Sequence, residues 1–360
     1  MNRKAVIAMS GGVDSSVGAY LLKQAGFECI GVTMKLFANE DLGADRDRSC
    51  CSLSDVKDAQ TVAYHLDMPH YVLNFAEDFK GLVIRKFIET YRNGGTPNPC
   101  IDCNRYLKFE KLLRRAAQIE FDYIATGHYA RIEQGGARFL LKKAQDAKKD
   151  QSYVLYTMTQ DQLAHSLFPL GDLTKEEVRE IAAAQGFVNA RKRDSQDICF
   201  APDGDYAGFI EQYTGETALP GNVVDEAGKI LGTHRGLIRY TIGQRRGLGL
   251  SFPEPRYVAA KSAADNTLTV GKETSLYARG LIAEDINLIA LPDLSKPVRV
   301  KVKTRYLQNG QPATAEQTAP NQLRIDFDKP QRAITTGQAA VLYDGEFVVG
   351  GGTIAEAILA

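Results

Sequence analysis

Residues 4–9 form a nearly unbroken apolar run, a glycine-serine stretch follows, and Val17, Tyr20 and Leu21 then return at helical spacing until Gly26 stops them. A short continuous run followed by a period near 3.6 predicts a buried strand, a turn and a helix beginning near Asp14. Residues 28–37 predict a second strand, which makes the opening a βαβ unit. Such units imply a parallel sheet covered on both faces. The pattern repeats: Ser54 can cap a helix whose apolar positions are Val56, Ala59, Ala63 and Leu66, Pro69 ends it, and residues 71–75 give a strand. Further helices are expected over 79–91 and 107–119, with a strand over 123–126 ending at Gly127. Thr174 and Glu177 have capping-box spacing, and Leu173 can staple onto Val178. These elements define an α/β domain over residues 1–203.

Beyond it the texture changes. Glycines thicken at 215–221, 225–228 and 243–249, and helical periodicity fades, which suits a small, mostly β central domain over 204–279. Residues 280–360 read as a barrel-like β domain of short strands. Asn309-Gly310 and Asp344-Gly345 are hairpin-turn dipeptides within it. The fold class is therefore α/β: an N-terminal parallel-sheet domain, a small central mostly β domain and a C-terminal β-barrel-like domain.

A chain of 360 residues with 44% apolar content suits two or three folded domains. No apolar run approaches the length of a membrane span, and the first nine residues lack a secretory pattern, so a cytoplasmic enzyme is expected. Lys plus Arg equals Asp plus Glu at 44 each, so net charge argues neither for nor against a nucleic acid. Six cysteines are too sparse for a disulfide scaffold. Cys29, in an apolar stretch, reads as a small buried hydrophobe.

The loop Ser10, Gly11, Gly12, Val13, Asp14, Ser15, Ser16 joins the first strand to the first helix. Backbone N–H groups, serine hydroxyls and the helix dipole converge on an anion in such a place. Asp14 would repel phosphate unless a divalent cation intervened, which points to Mg²⁺. No lysine stands where a P-loop has one, so a kinase or GTPase is disfavoured. An ordinary turn with Ser10 or Asp14 as helix cap is the plainer alternative. With Ala8 and Met9 before it, the segment resembles the pyrophosphate loop of the N-type ATP pyrophosphatases, which implies cleavage of ATP between its α and β phosphates.

Cys100 and Cys103 stand three apart between prolines and a helix. Such a pair serves as a redox couple, half a zinc site or part of an iron–sulfur cluster. Cys199 follows the basic triplet at 191–193 and is either buried and inert or a functional thiol. The Cys50-Cys51 pair lies in a polar stretch, able to accept a persulfide or incidental.

The loop, residues 31–34, 96–104, 125–129, 149–153, 194–200 and 243–249 together resemble the bacterial tRNA-specific 2-thiouridylases, in the right order and over essentially the whole chain. The resemblance implies adenylation of the C2 oxygen of the wobble uridine and sulfur transfer from a cysteine persulfide. It implies ATP contacts at Ala8, Met9, Ser10, Gly11, Gly12, Val13, Asp14, Ser15, Met34 and Gly127. It makes Cys199 the persulfide carrier and Cys103 its thiol partner, with which it can form a disulfide. Asn98, Pro99 and Cys100 would approach the target base, while His128, Lys149, Asp150, Gln151, Arg305, Tyr306 and Gln338 would meet the tRNA anticodon stem-loop. A sulfur-donor protein and an external thiol reductant are implied partners. Some family members carry Asp where this chain has Cys100, which leaves open a [4Fe–4S] cluster on Cys100, Cys103 and Cys199.

Residues 296–305 hold five basic side chains and no acid, with Arg299, Lys301 and Lys303 on one strand face. Either that face is simply solvated, or phosphates lie opposite and relieve the repulsion. Lys142, Lys143, Lys148 and Lys149, and Arg191 to Arg193, form two more basic clusters. The competing function is an adenylating ligase or amidotransferase of the same superfamily acting on a small metabolite, which would need neither paired thiols nor a basic C-terminal face. A redox or zinc-binding RNA adaptor would leave the loop without a purpose.

Overall fold

The computed structural model describes residues 3–37, 53–194, 198–201 and 203–360. Cys50 and Cys51 lie outside the described residues. Contacts divide the chain into two compact units: Met1–Val83 with Pro99–Gly204 and Gly345–Val348, and Ile84–Asn98 with Asp205–Asp344 and Val349–Ala360.

The first unit is built on a five-stranded parallel sheet in the order β3-β2-β1-β4-β7, with β1 Lys4–Ala8, β2 Glu28–Lys35, β3 His70–Asn74, β4 Tyr123–Ala125 and β7 Ser166–Leu167. β1 lies between β2 and β4, its centre buried on both faces, which is why it reads as a continuous apolar run. The helices Val13–Gln24, Leu53–His65 and Lys175–Ala184 contribute Val17, Ala59, Val62, Val178 and Ala182 to one core with Ala5 and Ile7. Each fully buried Val or Ile there contributes about 1.5–3 kcal/mol. β5 Ala130–Gly135 and β6 Arg138–Lys143 form a hairpin, and Lys142 pairs with Phe347.

The capping box at Thr174 is present: its side chain accepts from Glu177 N and Glu177 reaches back to Thr174 N. Thr174→Ala should cost about 1 kcal/mol, seen as a lower urea midpoint at unchanged slope.

Two helical expectations need correction. The run expected over 79–91 begins at Ala76, where Asn74 Oδ1 accepts from Ala76 N, and continues through wide turns at Lys80–Ile84 to Arg85–Arg92. The helix expected over 107–119 begins at Pro99 and runs through Cys103–Leu112 to Leu113–Gln118. A proline suits the first helical turn, where its missing N–H costs nothing. Cys100 therefore lies within the first turn and Cys103 at the start of the second, rather than ahead of a helix.

In the second unit a small sheet of order β10-β11-β8-β9 comprises β8 Gly221–Val224, β9 Ile230–His234, β10 Tyr257–Ser262 and β11 Thr267–Gly271 around Val223, Val258, Leu268 and Val270. The C-terminal part is a closed six-stranded barrel. Its order is β12-β15-β14-β13-β16-β17, with β12 pairing back to β17; the strands are β12 Tyr277–Leu288, β13 Val298–Lys303, β14 Gln311–Ala319, β15 Gln322–Arg332, β16 Ala339–Asp344 and β17 Phe347–Leu359. Closure removes the exposed edges of an open sheet. The turn at Asp344-Gly345 joins β16 to β17 as expected. Asn309-Gly310 does not make a two-residue turn: it ends a seven-residue connection, 304–310, in which Gln308 Oε1 accepts from Thr304 N and Oγ1. That side-chain bridge closes a wider loop than the dipeptide alone implies.

Candidate functional site: a nucleotide loop and a thiol segment

β1 delivers the chain to the loop with Met9 buried and Met9 N bonded to Val32 O at 2.8 Å. Gly11 turns at φ +75°, and a Cβ there would stand 2.2 Å from Asp55 O. The position therefore tolerates only glycine. The helix Val13–Gln24 is capped by no side chain, so neither Ser10 nor Asp14 takes the role of an ordinary cap. The serines instead brace the loop internally. Ser15 Oγ donates to Gly12 O at 3.1 Å and accepts from Ser10 N at 3.3 Å, while Ser16 Oγ donates to Gly12 O at 3.0 Å. A helix start with no side chain on its amides is an anion site in waiting.

Groups from far along the chain complete the loop. Asn189 Nδ2 donates to Gly11 O at 3.0 Å and to Ser16 Oγ at 2.9 Å, and Lys192 Nζ donates to Gly11 O at 3.2 Å. Lys192 also pairs with Asp55 and Asp58, both at 2.6 Å. Burial opposes its charge, but those two carboxylates outweigh it and raise its pKa. Lys175 Nζ lies 2.7 Å from Asp14 Oδ1, and Tyr129 OH donates to the same oxygen at 2.8 Å. Burial, then the Asp14 charge, push the Tyr129 phenol's pKa upward, so it stays protonated. The sequence shows no lysine in the loop; the fold brings two beside it.

Gly127, just past β4, packs on the loop. A Cβ there would lie 2.8 Å from both Asp14 C and Ser15 N. Met34 is buried at the end of β2, one residue past the buried Thr33, whose hydroxyl donates to Met9 O at 2.7 Å.

Cys100 is exposed, and Cys103 and Cys199 are half-buried; none is in a disulfide. Asn104, next to Cys103, is fixed by donating to Val154 O at 3.1 Å. Burial pushes the Cys29 thiol up to about 11, in keeping with an inert residue. Among the described residues no group of three His, Cys, Asp or Glu side chains is placed to hold a metal ion. The set Cys100, Cys103 and Cys199 therefore does not form a cluster site, with Cys100 turned out to solvent at the helix start.

Asp194 stands at the head of the segment leading to Cys199. It takes Lys149 at 2.6 Å, Lys175 at 2.8 Å and Arg179 at 3.1 Å. Burial alone would raise its pKa, but hydrogen bonds from Lys149 and Lys175 prevail and hold it at about 2.

The residues expected at the RNA are largely engaged within the protein. His128 is buried beside Phe109 and Phe168, with Nδ1 2.7 Å from Thr126 Oγ1, and burial lowers its pKa so that it is neutral. Asp150 accepts from Ala144 N, Ser152 N and Ser152 Oγ, and Gln151 exchanges two hydrogen bonds with the Tyr129 backbone. In the second unit Gln338 Nε2 donates to Thr96 O at 3.0 Å and Pro97 O at 3.3 Å, fixing the segment that leads into Asn98. Arg305 donates to Ala333 O at 2.5 Å, and Tyr306 lies in the same 304–310 connection.

The basic clusters are also partly neutralised. Lys142 pairs with Glu133 at 2.8 Å. Arg299 forms a two-pronged pair with Asp328, at 2.7 and 2.6 Å. Alternation along β13 is as expected, with Val300 and Val302 buried and Arg299 and Lys301 exposed. The neighbouring carboxylate relieves the repulsion on that face, so phosphates are not required to explain it.

Three family models match: a tRNA methyl transferase HUP domain at residues 3–203, a tRNA methyl transferase PRC-barrel domain at 207–272 and an aminomethyltransferase beta-barrel domain at 278–354. The tRNA-specific 2-thiouridylase MnmA of Lachnoclostridium phytofermentans is 51% identical over 98% of this chain and 99% of its own. The enzyme of that name from Clostridioides difficile is 49% identical over 99% of each chain. The chain belongs to the tRNA-specific 2-thiouridylase family. The domain descriptions speak of methyl transfer, but each covers one part, whereas the thiouridylases match end to end. The thiouridylase from Symbiobacterium thermophilum matches in the same way, 49% identical over 99% of this chain and 93% of that one. With 354 of 360 residues matched in the first of these, Cys103 and Cys199 fall inside the shared span.

Proposed function

We infer that this protein replaces the C2 oxygen of the wobble uridine in tRNA anticodons with sulfur, at the expense of ATP. The observation that carries the reading is the end-to-end similarity to enzymes named tRNA-specific 2-thiouridylase, and the uncapped loop gives it a chemical basis.

An amide-like carbonyl oxygen is a poor leaving group. O2 attacks the α phosphorus of ATP, pyrophosphate departs, and O2 becomes part of an AMP ester. The N–H groups at the start of the helix Val13–Gln24 face the polyphosphate as its charge redistributes, on a loop held in shape by its serines. Ala8, Met9, Ser10, Gly11, Gly12, Val13, Asp14 and Ser15 form this surface, with Met34 and Gly127 at the nucleoside. Tyr129 and Lys175 both bond Asp14 at Oδ1, so a Mg²⁺ carried in with ATP would be met at Oδ2. Mg²⁺ keeps most of its waters and needs only one or two carboxylates, so this donor set fits. Such an ion offsets polyphosphate charge.

The terminal sulfur of a persulfide on Cys199 attacks C2 and AMP leaves with the original O2. The Cys103 thiolate then attacks Cys199 Sγ, breaking the S–S bond; thiouridine is released and a Cys103–Cys199 disulfide forms. An external thiol reduces that disulfide, and a sulfur-donor protein restores the persulfide. Asn98, Pro99 and Cys100 form the surface on which an outturned base rests. Residues 1–203 carry adenylation and thiolation. Residues 204–279 and 280–360 hold the tRNA, with Lys149, Arg305 and Tyr306 at its backbone and His128, Asp150, Gln151 and Gln338 as supports of the contacting loops.

The test is a reaction with purified protein, tRNA, ATP, Mg²⁺ and a persulfide donor. Thiouridine, AMP and pyrophosphate should appear in equal amounts and only together. Release of ADP, or thiolation without ATP, contradicts the reading.

A further inference from the structure

Residues 241–249, which follow the buried Tyr240 and precede β10, carry two adjacent arginines that no step of the reaction uses. The segment is a closely braced turn. Gly243 N donates to Val258 O at 2.8 Å, and Val258 N donates to Gln244 O at 2.9 Å. The Gln244 side chain closes the inside: its Oε1 accepts from Thr241 N at 3.0 Å and its Nε2 donates to Arg246 O at 2.9 Å. Gly243 and Gly247 have φ of +84° and +74°, which a side chain would oppose. Leu248 is buried with Tyr240 and Val258 and ties the far end of the turn to the core of the small sheet.

Arg245 and Arg246 are both exposed, and among the described residues neither side chain has a hydrogen bond or an ion pair. The one acid between 241 and 256, Glu254, is taken by Arg256 at 2.8 Å and Lys272 at 3.4 Å. Other arginines of the second unit are matched: Arg299 with Asp328, Arg324 with Asp326 and Arg332 with Glu273. Two neighbouring guanidiniums thus stand uncompensated on backbone whose shape is already fixed. Phosphate oxygens suit the guanidinium fork, and a fixed turn loses little freedom when it meets them. The position of the turn indicates which phosphates. A Cβ at Gly243 would lie 2.9 Å from Ala333 Cβ, and Ala333 O accepts from Arg305. The turn and the 304–310 connection therefore meet at one residue, and the resemblance implies tRNA at Arg305 and Tyr306.

We propose that Arg245 and Arg246 form a phosphate-binding turn that takes the tRNA backbone beside Arg305, holding the RNA without reading its sequence. The proposal rests on the thiolation reading for its ligand but is testable without chemistry. The measurement is binding of a fluorescently labelled tRNA transcript with uridine at the wobble position to the full-length protein, without ATP, followed by anisotropy from about 50 to 300 mM salt. The double variant Arg245→Gln with Arg246→Gln should bind about tenfold more weakly at the low end. Its slope of log affinity against log salt should be flatter by about 1.4–1.8, the release expected for two phosphate contacts. The lysine pair, Arg245→Lys with Arg246→Lys, should keep the wild-type slope. Arg299→Gln should change neither quantity, because Asp328 already neutralises that guanidinium. A transcript with another wobble base should lose affinity by the same factor in the glutamine variant.

An unchanged slope in the glutamine variant overturns the proposal, as does an equal flattening in Arg299→Gln, which would mark a loss of overall charge and not of a contact. A loss confined to one transcript also overturns it, since it would place the arginines at bases. Should the double glutamine variant not fold, the single changes Arg245→Gln and Arg246→Gln decide the matter, each flattening the slope by about half as much. If the wild-type protein thiolates tRNA and the glutamine variant keeps its slope, only the phosphate turn fails. The predicted change of slope in a protein that does not thiolate tRNA upholds the turn and removes the reading of function.

Discussion

Cys199→Ser is expected to reduce thiouridine formation by roughly a thousandfold or more, because no other group is assigned to carry the sulfur. Serine keeps the size of the side chain but cannot hold a persulfide. ATP consumption should separate from thiolation in this variant. Adenylation precedes sulfur attack, so tRNA-dependent release of pyrophosphate continues while thiouridine does not form. Cys103→Ser should behave differently. The terminal sulfur still reaches C2, but nothing cleaves the Cys199–sulfur bond, and a covalent enzyme–tRNA adduct accumulates to about one per active site. An added small thiol should release thiouridine from it. The pair is read by gel shift and nucleoside mass spectrometry. Equal loss of pyrophosphate release and thiolation in Cys199→Ser would place this cysteine outside the sulfur step.

Gly127→Ala should raise the KM for ATP or lower turnover by on the order of a hundredfold, the usual cost of displacing a reacting group by about 1 Å. The added methyl would sit 2.8 Å from backbone atoms of Asp14 and Ser15. Backbone cannot turn aside as a flexible side chain does, so the loop must move. Fluorescence titration with an ATP analogue, beside steady-state kinetics, tests this; binding and turnover within about twofold of wild type would show that the loop gives way freely. The Gly127 contact is with the loop itself, whereas the resemblance implies a contact with the nucleoside of ATP.

The features readable from sequence are those set by neighbours along the chain. The apolar run of β1, the 3.6 period around Val17, the capping box at Thr174 and the alternation Val298, Val300, Val302 each follow from residues a few positions apart. What escaped is set by distant partners. No local pattern marks Lys175, Asn189 or Lys192 as loop residues, because each reaches the loop through folding over 160 or more positions. Asp328 lies on a different strand from Arg299, so β13 taken alone looks like an unrelieved basic face. The helix start at Pro99 was hidden by its own prolines, which mark a break in most settings but suit a first turn. The lysine adjacent to Asp14 also changes the meaning of that carboxylate. Its charge is compensated within the protein, so a divalent cation is an addition to the site and not a condition of it.

In this mechanism O2 of the uridine becomes an oxygen of AMP. It is tested by carrying out one turnover in ordinary water with tRNA bearing a heavy oxygen isotope at C2 of the wobble uridine, then weighing the products. One heavy oxygen should be found in AMP, none in pyrophosphate and none retained in the thiouridine. Unlabelled AMP, or label in pyrophosphate, would contradict adenylation of that oxygen.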